Sequence, residues 1–316
     1  QPPRRRSRNR RQNPWRRVSL PVVFHPDYVT PLRPGHQFPM SKYGYLRQHL
    51  INEGLIAQGG YLSPAEASVG LLTLAHAPDY VDKVLGKTLG EREIRAIGLP
   101  LSGKLVRRVR LSSAGTLLAA RLAIEHGVAC NGAGGSHHAA HAAGSGYCVF
   151  NDVAVAAAAL ISEGAVSRVL VIDLDVHQGD GTAQIFADQT AVFTLSVHAA
   201  KNFPARKKPS DLDAPLPDAT DDSAYLKALA KTLERAEHVS PDIIFYNAGV
   251  DVHRDDRLGR LSLSDDGLAA RDAYVMNWAR QRGVPIVGVL GGGYGPDPAV
   301  IAARHVSLFE QAAKLA

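Results

Sequence analysis

Within nine residues, Asp173, Asp175, His177 and Asp180 follow four apolar side chains, Val169 to Ile172, in the stretch VLVIDLDVHQGDG. Such a run reads as a buried parallel strand, so the polar residues stand at its carboxyl end. Ligands bind at that end in open α/β sheets. Asp175 and His177 are two apart, and in extended backbone both side chains leave on one face and can share an ion. Zinc accepts carboxylate oxygen and imidazole nitrogen, and a catalytic site uses three protein ligands with a fourth position open. Asp251, in the later run DIIFYNAGVDVH, is the natural third ligand. Two carboxylates make the donor set hard, so ferrous iron is admitted as well. The blander reading, in which these aspartates cap a helix or make turns, does not explain why the pattern recurs along the chain.

It recurs three times. GVACNGAGGSHHAAH leads into the tandem His137-His138, DIIFYNAGVDVH delivers Asp251, and PIVGVLGGGY delivers Tyr294. Two adjacent histidines in a core are hard to satisfy without carboxylates, and Asp173 and Asp180 remain unspent. A carboxylate bonded to an imidazole fixes its tautomer and raises its basicity, which suits proton transfer. The competing reading makes one histidine a metal ligand and the other a surface residue. Three glycines before Tyr294 clear side chains from its surroundings, so that the phenol can reach a substrate oxygen as a donor. Glycine runs before an aromatic are also common turn material. His36, His76, His141, His198 and His253 receive no assignment from spacing.

The elements that position these residues follow from the alternation of apolar runs with helical stretches such as DVAVAAAALISEG. That order implies a mostly parallel sheet with helices on both faces. The 316 residues, 45% hydrophobic, can bury a large core, and no Pro/Gly/Ser linker divides them. No uninterrupted apolar run is long enough for a transmembrane helix, so membrane association is not expected. Cys130 and Cys148 form neither a CxxC nor a disulfide-rich pattern, which fits a reducing, cytoplasmic compartment. Residues 1–17 carry eight arginines and no acid, and removing those charges from the net +6 leaves −2. The basicity belongs to a disordered arm, residues 1–20, ahead of a single catalytic domain, residues 21–316. Nucleic-acid contact through the arm is open, without a recognised binding motif.

Together GGSHHA, GYCVFND, DLDVHQGDGT, NAGVD and LGGGY resemble the zinc-dependent histone deacetylase and acetylpolyamine amidohydrolase superfamily. HPDYVTPLRPGHQFPMSKY and SDLDAPLPD look most like its class IV branch and bacterial relatives. The resemblance implies an arginase-deacetylase-like three-layer α/β fold with an eight-stranded, mostly parallel sheet. It implies zinc on Asp175, His177 and Asp251, with His137 paired to Asp173 and His138 to Asp180. Water activated by the ion and deprotonated by His138 would attack an acyl-amide carbonyl. Tyr294 would help hold the oxyanion. Gly146, Tyr147, Phe203 and Gly292 would line the substrate channel. A monovalent cation, potassium, would sit near Asp173, Asp175, His177, Ser196 and Val197.

The substrates so implied are acyl-lysine in proteins or peptides, or acylated amines such as acetylpolyamines. A zinc scaffold without turnover would not retain Tyr294, and a ureohydrolase would need two manganese ions where His138 and Asp180 stand. Tyr147 replaces a phenylalanine common in the family, Gln178 replaces the second histidine of DxHHGDG, and no rim aspartate is found. Oligomeric state and acyl-chain preference stay open. Because the arm cannot bury apolar surface, deleting residues 1–17 is expected to change turnover on a small acyl-lysine by no more than a few-fold. A much larger loss in that assay would place the arm in the active site.

Overall fold

The computed structural model describes residues 20–57 and 59–316. The expected arm and its nucleic-acid contact therefore lie outside the described residues, except for Leu20, which is buried in the core and does not belong to an arm. Seven strands form one sheet: β1 (Val22–Val23), β2 (Val128–Asn131), β3 (Val169–Asp173), β4 (Val192–Ala199), β5 (Leu212–Leu216), β6 (Ile243–Asn247) and β7 (Ile286–Val289). Their order is β1-β2-β7-β6-β3-β4-β5, with every neighbouring pair parallel. Helices cover both sides of the sheet. Accordingly β2, β3, β6 and β7 are buried at every position, as a sheet covered on both faces requires.

The order has a consequence for chemistry. The four runs that end in polar residues, β2, β7, β6 and β3, are consecutive in the sheet, although β4 and β5 lie between β3 and β6 in sequence. All four carboxyl ends therefore open onto one stretch of rim. Register sharpens this, because Asp173 pairs with Ser196 on one side and Asn247 on the other.

The expected eighth strand is reduced to a single bridge among the described residues. Leu62 pairs in parallel with Val23, donating to the Val22 carbonyl and accepting from Phe24 N–H. Gly59-Gly60 precede this residue and Pro64 follows closely. Glycine weakens a strand and proline cannot donate to a ladder, so pairing stops after one residue. No helix among the described residues is long and apolar enough to cross a membrane.

The loop from β2 toward the helix Asp152–Ser162 is tied down by its own polar residues. Asn151 caps that helix through Ala154 N–H, and its amide donates to Ala139 O and to Thr182 Oγ1. His76 anchors the cap: its Nε2 accepts from Asn151 N–H at 2.9 Å while Nδ1 lies 2.9 Å from Ala140 O. The ring is thus the neutral, Nδ1-protonated tautomer. Burial pushes this imidazole from 6.5 down to about 4. Below pH 6.5 the unfolded chain binds a proton that the folded ring refuses. The stability contributed by the neutral ring is complete above that pH and is lost as pH falls toward 4, by up to about 3 kcal/mol. Denaturant melts of His76→Gln are expected to show lower stability at pH 7.5 and a flatter decline between pH 6.5 and 4 than the parent. Parallel pH profiles would refute the assignment.

Candidate active site

Asp175, His177 and Asp251 converge at the rim, fully buried, with candidate ligand atoms all within 4.8 Å of one another. The way they converge differs from the extended-strand expectation. β3 ends at Asp173, and the next residues form a turn held by side chains. Asp173 Oδ1 accepts Asp175 N–H, Asp175 Oδ1 accepts His177 N–H, and Asp251 Oδ1 accepts Val176 N–H at 2.9 Å. These Asx-type bonds fold Asp175 and His177 onto each other, leaving His177 Nδ1 3.0 Å from Asp175 and 3.1 Å from Asp251. Burial alone would depress the His177 imidazole, yet those two carboxylates outweigh it and raise it to about 10. The point therefore attracts positive charge, and two carboxylates with one imidazole form a donor set that a divalent cation fits in place of that proton.

The tandem histidines are both buried and both paired. His137 Nδ1 lies 2.6 Å from Asp173 and His138 Nδ1 lies 2.6 Å from Asp180, distances typical of charge-assisted bonds. Their rings are 4.1 Å apart, and their environments push them in opposite directions. Burial lowers both, but Asp173 and Asp175 reverse the effect at His137, which rises to about 9. At His138 burial and the neighbouring charge of His137 prevail over Asp180, and the ring falls to about 4. One imidazole thus holds a proton while the other is poised to accept one. Behind them Asp152 accepts Gly135 N–H, Ser136 N–H and the Thr116 hydroxyl, which fixes the loop that carries both rings.

Tyr294 reaches the same place from β7. Its ring centroid is 6.2 Å from that of His177. Burial, with the charges of Asp175 and Asp251, keeps its phenol far above the ordinary range, so it remains a donor. Lys42 braces the glycine segment from behind, its ammonium donating to Gly291 O and Gly293 O and lying 5.8 Å from the Tyr294 ring centre. Gly292 is a tighter constraint than its expected role as channel wall suggests. Its N–H donates to Asp175 Oδ2 at 2.6 Å. A Cβ there would overlap Asp251 Oδ2 and stand 2.8 Å from Asp175 Oδ2.

A cleft of about 350 Å³ leads down to the cluster, lined among others by Gly146, Tyr147, Phe203, His138, His177 and Tyr294. Gly292 instead borders an inner cavity of about 30 Å³ beside Asp175. Tyr147 is held at φ 66°, and Phe203 meets His138 edge to face at 4.8 Å. Ser196 and Val197 are buried beside Asp173, with Ser196 Oγ 3.0 Å from His198 Nδ1. Gln178 turns away to bond Lys208 O and Asp213.

Asn247, Asp152, Lys42 and Asp256 escaped sequence reasoning. Asn247 donates to Asp173 at 3.0 Å, and its signal lay in NAGVD, four residues before Asp251. Asp256 accepts Tyr294 N–H at 2.6 Å and Leu258 and Gly259 N–H. Burial and the charge of Asp251 raise this carboxyl to about 7. In RDDRLG nothing separates it from an ordinary surface turn.

Fold and site together define a hydrolase of the metal-dependent type built on a parallel α/β sheet. The chain belongs to the histone deacetylase family, whose domain matches residues 36–308, and it is a deacetylase-type amidohydrolase. An uncharacterized protein of Picosynechococcus sp. is 45% identical over 94% of this chain and 99% of its own. Histone deacetylase 2 of Arabidopsis thaliana is 31% identical over 86% of this chain and 73% of its own. A solved histone deacetylase homologue complexed with SAHA superposes with a TM-score of 0.78 at 25% identity, covering 94% of this chain and 84% of that one. The acetylpolyamine aminohydrolase of Burkholderia pseudomallei shares the fold, with a TM-score of 0.76 at 22% identity, over 94% and 99% of the chains.

The close approach at Gly292 yields a test. Gly292→Ala should displace Asp251 or Asp175 and weaken metal binding by roughly ten- to a hundredfold, the usual cost of disturbing a ligand's support. Elemental analysis after dialysis against a weak chelator would show it. Full metal retention would mean that the loop yields instead.

Proposed function

We propose that the chain removes acyl groups from lysine side chains of proteins or peptides, with zinc held by Asp175, His177 and Asp251. The single observation that carries this reading is the convergence of that cluster, the His138–Asp180 pair and Tyr294 at the floor of one narrow cleft. Ferrous iron is the competitor for the same donors. When bound, the divalent ion polarises the amide carbonyl and acidifies a water molecule. His138, its Nδ1 committed to Asp180, takes a proton from that water through Nε2. A protonated histidine of the pair then gives a proton to the departing amine. The Tyr294 phenol donates to the oxygen on which negative charge develops. Gly146, Tyr147 and Phe203 confine the aliphatic stem. Potassium beside Asp173, Asp175, His177, Ser196 and Val197, held largely by carbonyl oxygens, would brace the ligand-bearing turn.

The mouth of the cleft favours acyl-lysine over acylated polyamines. Its polar lining above the histidines consists of Gln37, Arg95 and Asn202, and no carboxylate is among the lining residues. A polyamine keeps further ammonium groups after acylation, and here they would meet the Arg95 guanidinium, which Glu91 offsets only at an exposed i,i+4 pair. Both cysteines are free and buried, which supports operation in a reducing, cytoplasmic setting.

Zinc content, turnover and substrate affinity should be measured on one preparation against acyl-lysine peptides and acetylpolyamines. The expected result is preference for the peptides; a preference for polyamines would overturn the substrate assignment. Tyr294→Phe is expected to keep the fold and the zinc and to lower turnover about a hundred- to a thousandfold, roughly 3–4 kcal/mol of transition-state stabilisation. Affinity should change far less. Parent-like turnover would leave the glycine–tyrosine segment as a turn.

A further inference from the structure

The segment Asp256–Gly259 grips Tyr294 by its backbone. Asp256 Oδ2 accepts Tyr294 N–H at 2.6 Å, and in return Arg257 N–H donates to the Tyr294 carbonyl at 3.1 Å. Both polar groups of one residue are thus held by a single turn. That turn is itself set by the same carboxylate, whose Oδ1 accepts Leu258 N–H at 2.8 Å and Gly259 N–H at 2.9 Å. Three backbone donors, that of Tyr294 buried and those of Leu258 and Gly259 partly so, converge on one side chain, and an apolar residue there would leave them unpaired. The turn also reaches the channel wall. Leu258 lines the cleft, and its carbonyl accepts the Asn202 amide at 2.9 Å, one residue before Phe203. On its other side it abuts the metal-ligand segment, where a Cβ on Gly259 would overlap the Asp251 carbonyl.

We propose that Asp256 is a positioning residue for the Tyr294 phenol, setting its height above the ligand cluster through the Tyr294 peptide without touching substrate. The inference rests on the donor role proposed for Tyr294. Other groups support the glycine loop: Asp175 bonds Gly292 N–H, and Lys42 bonds Gly291 O and, at 3.4 Å, the carbonyl half of the Gly293–Tyr294 peptide. Among the described residues, Asp256 is the side chain that holds the N–H half of that peptide, at 2.6 Å. Oxyanion donors act over a few tenths of an ångström, and misplacement by about 1 Å costs on the order of a hundredfold in rate.

A double-mutant cycle on the zinc-loaded full chain separates positioning from general stability. Asp256→Asn removes one acceptor at nearly constant shape. Its turnover on a small acyl-lysine should fall roughly ten- to a hundredfold, with KM within about threefold and zinc unchanged. In a Tyr294→Phe background, where no phenol remains to be placed, the same substitution should cost less than about twofold. Should Asp256→Asn fail to fold, Asp256→Glu, which keeps the charge and shifts the oxygens, carries the same cycle. Parent-like turnover of the single variant, or an equal loss in both backgrounds, would overturn the inference while leaving the phenol's role intact. Parent-like turnover of Tyr294→Phe would remove both together.

Discussion

Burying Asp173, Asp175 and Asp251 at the ends of two neighbouring strands is the constraint on which the rest of the structure depends. Each is at most 3% exposed, and carboxylates so confined are costly unless they are bonded and neutralised. Every element around them answers that demand. Backbone N–H groups of Asp175, Val176, His177 and Gly292 point at their oxygens. Imidazoles from β2 and β3 supply positive charge at 2.6–3.1 Å. Lys42 and Arg271 sit fully buried nearby, Lys42 bonding the carbonyls of the glycine loop and Arg271 the Gly249 carbonyl, two residues before Asp251, and the Asp272 carboxylate. The negative charge concentrated there is the feature that suits the cluster to a cation.

The same charge balance separates two histidines that the sequence writes as identical neighbours. His137 faces Asp173 and Asp175, whereas His138 faces Asp180 and the charge of His137 itself. Each has one carboxylate at 2.6 Å, but at His137 the charge of Asp173 is reinforced by that of Asp175, whereas at His138 the pull of Asp180 is opposed by the charge of His137. Local geometry is shared and the longer-range field decides the roles.

Much of the site was legible because chemistry-bearing residues interrupt apolar runs. His137 lies 2.6 Å from Asp173 and His138 2.6 Å from Asp180, and the candidate ligand atoms of Asp175, His177 and Asp251 gather within 4.8 Å. What failed to show were residues whose importance lies in the partner they reach. Asp256 reads as a surface turn because its partner, Tyr294, is 38 positions away. Lys42 is 1% exposed, and the carbonyl that its ammonium meets, Gly291 O, is 249 positions away. The extended-backbone argument brings Asp175 and His177 together by strand pleat, whereas in the structure the strand ends at Asp173 and side-chain bonds to the turn bring them together.

Composition and pattern by themselves determined the class of sheet, the strands that end in chemistry and the donor types gathered there, because burial period and residue chemistry are local properties. Tertiary structure alone decided that β2, β7, β6 and β3 are consecutive, since β4 and β5 intervene in the chain and strand order depends on which crossovers pack. It also decided that pairing at the β1 edge stops at Leu62, and that Gly292 presses on the ligands where it was expected to line the channel. These are matters of which distant segments come within a few ångströms, and the spacing along one chain does not encode that distance.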